Sequence, residues 1–200
     1  MPCVGVADRL DPKDVLHTQE KIPDPHVWFD VALWSRCAGA VRDVLSEFDP
    51  THAEDYRTQA AAYQAELAKL DAEARDRIGA IAKERRVLVT SHDAFRYFGR
   101  AYHIEVKGIQ GISTEAEASV KDINDLVRFI IDRKVKAVFV ETSVNQRTMQ
   151  ALLEGCRAGG HEVVLGGELF SDAMGKAGTP EGTYVGMVRH NVETIVKALR

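Results

Sequence analysis

The chain has 200 residues, a formal charge of -4 and 45% hydrophobic residues. That is enough apolar material for the core of one ordinary domain, or of one and a half smaller ones, and it excludes a disordered or fibrous chain. The mild acidity carries no basic footprint for nucleic acid, and the longest apolar runs, such as Ala137-Val138-Phe139-Val140, are too short to span a bilayer.

Residues 1–25 read as a loop-rich start, with turn signals at Asp11-Pro12 and Pro23-Asp24-Pro25. Val31, Trp34, Ala38, Val41 and Leu45 recur at steps of three and four and predict a helix over 29–48. Asp49-Pro50 stops it, and Thr51 with Glu54 fits a capping box for the next element. From His52 to about Arg85 runs one long helical pattern, with Tyr56, Ala60, Tyr63, Leu67, Leu70, Ala74, Ile78 and Ile81 in a narrow apolar stripe. About thirty residues at 1.5 Å each span roughly 45–50 Å, which suits a spine carrying two lobes, or a coiled coil.

After residue 86 the pattern alternates. Strands are predicted at Val87–Thr90, Ile104–Ile109, Ala137–Glu141 and Glu162–Leu165. Helices are predicted at Ala94–Tyr102, Val120–Arg133, Gln146–Arg157 and Gly182–Leu199. Such alternation implies an α/β chain with a mostly parallel sheet flanked by helices. The organisation expected is a remnant of an N-terminal lobe over 1–50, a long linking helix over 51–86 and a C-terminal α/β lobe over 87–200.

In parallel sheets ligands gather beyond the carboxyl ends of the strands. Three stretches fall there: Ser91-His92-Asp93, Glu141-Thr142-Ser143, and the glycine-rich loop from Gly166 to Asp172. His26, in the stretch DPHVWFD, sits between a proline-stiffened turn and the Trp28-Phe29 anchor. Two imidazoles and a carboxylate suit zinc, manganese or iron; a histidine satisfied by ordinary hydrogen bonds is the plainer alternative for each. His17, His52, His103, His161 and His190 read as structural or solvated, with His17 the one nearest His26 in sequence. Glu141 is a candidate general base, or a hydrogen-bond acceptor ending a buried strand. Cys3, Cys37 and Cys156 are odd in number and widely spaced, so neither a disulfide framework nor a cysteine zinc site is expected. No HExxH, GxSxG or phosphate-binding glycine loop occurs, so no catalytic residue is assigned.

Five blocks carry a likeness: DPHVWFD at 24–30, SHDAFRYFGRAY at 91–102, QGISTEAEAS at 110–119, VFVETSVNQRTM at 138–149, and GGELFSDAMGKAGTPEGTYVGMVRHNVETIV at 166–196. Together they resemble the TroA-like solute-binding proteins of zinc and manganese ABC importers, in the family's order and over nearly the whole chain. The resemblance implies two α/β lobes joined by a single long helix. It implies Zn2+ or Mn2+ held by His26, His92 and Asp172, and delivery to a membrane permease. It also implies a periplasmic or cell-surface location, although Met1-Pro2-Cys3 leads straight into polar sequence with no export signal and, taken literally, leaves the chain in the cytoplasm.

One departure matters. The family's first ligand is a histidine in an earlier DPHxYE-like block, which this sequence lacks. A truncated gene, a misplaced start codon or a deliberate shortening would each produce that. Three protein ligands leave an open position, and loss of one weakens binding, since each carries a large share of the metal free energy. An incomplete first lobe would leave Trp28, Phe29 and Trp34 short of partners, giving an apolar patch and self-association. The alternatives to metal delivery are an inactive remnant with weakened binding and, further off, a metal-dependent hydrolase.

Overall fold

Asp30 is where the first α-helix begins. Its carboxylate accepts the Leu33 N–H at 3.1 Å and caps α1, Val31–Phe48. The computed structural model describes residues 3–18, 20–114 and 118–200. Met1-Pro2 and the Glu115–Glu117 portion of the QGISTEAEAS block therefore lie outside the described residues. Two compact units are present, Met1–Glu73 and Ala74–Arg200, with their boundary inside α2, Ala53–Gly79.

In the first unit α1 buries Val31, Leu33, Cys37 and Gly39. Gly39 allows a close approach: a Cβ there would stand 3.3 Å from the Gln64 side-chain nitrogen, which donates to the Ser35 carbonyl at 2.9 Å. On α2 the apolar stripe is buried at Leu67 and Leu70 and half-buried at Tyr56, Ala60 and Tyr63. Asp49 ties the turn between the helices, accepting from His52 Nδ1 at 2.7 Å and from the Tyr56 hydroxyl at 3.0 Å. The only β pairing among the described residues of this unit is the bridge between His17 and Pro23.

The expected apolar patch falls elsewhere on this unit. Phe29 is buried, and Trp28 and Trp34 are half-buried. The exposed large apolar residues are Ile22, before α1, and Val41, Leu45 and Phe48, further along it. The short 3-10 turn Val27–Phe29 tucks Val27 and Phe29 inward ahead of the helix, so the aromatic cluster needs no strand to cover it.

The second unit is the α/β part. β1, Val87–His92, runs parallel to β2, Glu105–Gln110, and β3, Ala137–Glu141, runs parallel to β4, Val164–Leu169. β1 lies beside β3. The helices are α3, Arg96–Tyr102; α4, Val120–Asp132; α5, Arg147–Ala158; and α6, Tyr184–Leu199. Alternate strand residues point to opposite faces. Val87, Val89, Val138 and Val140 join Leu126, Ile130, Met149, Leu152 and Cys156, from α4 and α5, in one core cluster. Leu88 and Phe139, on the other face, are also fully buried. Both faces of β1 and β3 are thus covered, the usual state of central parallel strands. Ser119 caps α4 through a reciprocal box with Asp122.

Two elements run further than their residues advertise. β1 continues through Ser91 to His92. β4 begins at Val164 and passes through Gly166 and Gly167, a pair that reads as a loop. A Cβ at Gly166 would meet the Phe139 ring at 2.7 Å and Ala198 at 2.8 Å. Gly167 has φ +142, and a Cβ there would meet Thr194 at 2.5 Å. The glycines let the strand pass beneath α6, with a register shift opposite Val138/Phe139.

Candidate metal centre

His92 ends β1 and is fully buried. Its backbone is held on both sides: the N–H donates to Glu141 Oε1 at 2.8 Å, and the carbonyl accepts from the Thr90 hydroxyl at 2.8 Å. Glycine at 108 in β2 makes room for this corner, since a Cβ there would stand 2.5 Å from the Asp93 nitrogen and 2.6 Å from the His92 carbonyl carbon. The ring is held as well, with Nδ1 2.5 Å from Glu141 Oε2. Glu141 ends β3 and is itself 1% exposed. One carboxylate therefore grips both the main chain and the imidazole of His92.

On its other side, His92 Nε2 stands 3.5 Å from Asp172 Oδ1. Asp172 follows β4 in a loop whose course is set by two contacts. The buried Asn191 of α6 accepts the Phe170 N–H at 3.0 Å and donates to the Phe170 carbonyl at 2.8 Å, supplying the pairing that a neighbouring strand would give. One residue on, the Ser171 and Ser143 hydroxyls lie 2.8 Å apart. Asp172 keeps part of its side chain exposed. Burial pulls the His92 pKa down and is the largest single influence; the hydrogen bond and charge of Glu141, with the charges of Asp172 and Asp93, outweigh it and hold the imidazole above its ordinary range.

His26 belongs to the first unit. Asp24 Oδ1 accepts its backbone N–H at 3.0 Å and lies 2.8 Å from ring Nδ1. Asp24 and His26 are both buried, and the Trp28 ring packs edge-on at 5.3 Å from the imidazole. The Pro25 turn and the aromatic anchor thus fix an imidazole whose Nδ1 is assigned to Asp24, so that ligation would go through Nε2.

Of the three residues read as ligands, His92 and Asp172 come together within the second unit. The remaining histidines have structural partners. His17 Nδ1 lies 3.1 Å from the Val15 carbonyl, His161 Nε2 2.7 Å from Val135, and His190 Nε2 3.0 Å from Glu168. His103 closes α3 with φ 55. Asn191 carries no motif signal; only the fold gives it its partner 21 residues away.

Paired parallel strands with polar groups at their carboxyl ends place the chain in the class of α/β ligand-binding proteins. Residues 2–198 match the family model "ZnuA: Zinc-uptake complex component A periplasmic", and the chain belongs to that family. It is 50% identical to the zinc-binding protein TroA of Treponema pallidum (strain Nichols) over 196 residues, which is 98% of this chain and 64% of that protein. It is 46% identical over 197 residues to the manganese-binding lipoprotein MntA of Bacillus subtilis (strain 168), again covering 98% and 64%. The solved structure of the periplasmic zinc-binding protein TroA superimposes with a TM-score of 0.95, covering 98% of this chain and 71% of that one. The chain thus spans about two thirds of the length of the curated relatives it matches. These relatives are named for metal binding and not for enzymatic activity.

Proposed function

We propose that this chain binds one divalent transition metal ion, zinc or manganese, through His26, His92 and Asp172. The ion is cargo, handed to the membrane permease of an ABC importer on the outer side of the membrane. The observation that carries the reading is the 3.5 Å between His92 Nε2 and Asp172 Oδ1. That gap is long for a direct N–H···O bond, which prefers about 2.7–3.2 Å. Two donors each about 2.0–2.2 Å from one ion, at a tetrahedral angle, stand about 3.4 Å apart. Family membership and the names of the relatives point the same way. Between the two ions, an imidazole-rich donor set and the general affinity order favour zinc.

A hydrolytic role needs a carboxylate base beside a bound water. Glu141, the best candidate by sequence, has both oxygens engaged by His92. Self-association is proposed through the first unit, where Trp34, Val41 and Leu45 of α1 face Tyr56 and Tyr63 of α2 across an apolar groove of about 420 Å³.

Calorimetry with zinc and manganese on the wild-type chain and on His92→Ala tests the metal reading. The wild type should bind and the variant should lose at least about 10-fold in affinity. Equal affinity in the two proteins overturns the assignment.

A further inference from the structure

The contacts around Glu141 carry a statement about His92 that metal ligation alone does not make. A carboxylate has no hydrogen to give; both its oxygens only accept. Glu141 Oε1 takes the His92 N–H and Oε2 faces Nδ1. A neutral imidazole meeting that carboxylate must carry its single proton on Nδ1, which leaves the Nε2 lone pair directed toward Asp172. We infer that Glu141 is a positioning residue that selects the Nδ1–H tautomer of His92 and so sets Nε2 as the ligating atom.

Two further observations support it. The ring is fully buried on a main chain held by Thr90 and seated against Gly108, so close packing opposes the rotation that would substitute for the tautomer choice. The same device recurs at His26, where Asp24 Oδ1 serves both the backbone N–H and Nδ1. Asp24 is two residues from its histidine, whereas Glu141 is 49 residues from His92 and on another strand. Unrelated local sequences arrive at one arrangement, which points to the chemistry of the ring rather than to a turn habit.

Glu141→Gln separates this role from mere packing. The glutamine oxygen would keep the His92 N–H, which turns its NH2 group toward Nδ1. Nδ1 must then accept, and the proton moves to Nε2. The consequence for zinc rests on the metal-binding reading above; the tautomer itself does not.

The test is 15N NMR of the metal-free full chain with labelled histidine, at a pH where the ring is neutral, with His92→Gln identifying the signals. The wild type should show a protonated Nδ1, and Glu141→Gln a protonated Nε2 together with a zinc affinity lowered about 10- to 100-fold. A wild-type proton on Nε2 overturns the inference, and so does a Glu141→Gln spectrum unchanged from wild type. Should that variant not fold, Glu141→Asp decides: one methylene shorter, it should give a mixture of tautomers, and an undisturbed Nδ1–H overturns the role. A wild type that binds no zinc but shows the Nδ1–H form, with the proton moved in the variant, sinks the metal reading and leaves the tautomer inference standing.

Discussion

His92 sits under opposed influences, and their balance fixes how the protein responds to pH. Its folded pKa is raised above the ordinary imidazole value, so in metal-free protein the fold favours the protonated ring. That contribution to stability is fully present below about pH 6.5 and is lost as pH rises through the folded pKa. Metal binding runs the other way, because a protonated Nε2 cannot ligate, so zinc affinity should climb over the same window. Melting curves of metal-free protein and zinc calorimetry between about pH 5.5 and 8.5 should therefore show opposite slopes, and His92→Gln should flatten both. The cysteines divide by burial. Desolvation pushes the Cys37 and Cys156 thiols up, while Cys3 is exposed. Iodoacetamide should label Cys3 alone in the native chain and the other two only after denaturation, as read by peptide mass. Of the candidate ligands, His26, His92 and Asp172 were legible as residue types in suggestive places. Glu141 in its holding role and Asn191 were not, because a hydrogen-bond partner 21 or 49 residues away leaves no local pattern.

At the scale of elements, periodicity located the helices well and the strands less so. α1 and α4 have clear apolar faces and caps, at Asp30 and Ser119. β4 was read short because Gly166-Gly167 looks like a loop, whereas those glycines are what let it pass under α6. The apolar stripe predicts a long helix to about Arg85, whereas α2 ends at Gly79 and a 3-10 turn follows at Lys83–Arg85. Gly108 shows how a strand residue can govern a neighbouring strand's end. Gly108→Ala would drive a methyl into the His92–Asp93 backbone, so it should cost about 1–3 kcal/mol in denaturant unfolding. The same push on His92 should weaken zinc binding, and unchanged stability and affinity together would show that the corner yields freely.

For the molecule as a whole, the first unit carries more exposed apolar surface than its size invites. Val41 is 42% exposed, Leu45 38% and Phe48 64%, flanking the groove proposed for self-association. Sedimentation over a range of concentrations should show association that Leu45→Glu removes; a chain that stays monomeric at high concentration would rule that surface out. The second unit also exposes Val120, Val164, Leu165 and Met174, but none of them lines that groove.

Read residue by residue, the chain declares its family, the parallel α/β character of residues after 86, and three residues to suspect as ligands. These rest on local composition, on periodicity and on short motifs that survive being read one residue after another. The folded arrangement sets where the chain divides, how far β1 and β4 extend, and how the site is built: Glu141 on His92, Asn191 on the Asp172 loop, Gly108 beneath the corner. Each depends on segments far apart along the chain meeting at hydrogen-bond distance, and the direction of a ring nitrogen is set by that meeting.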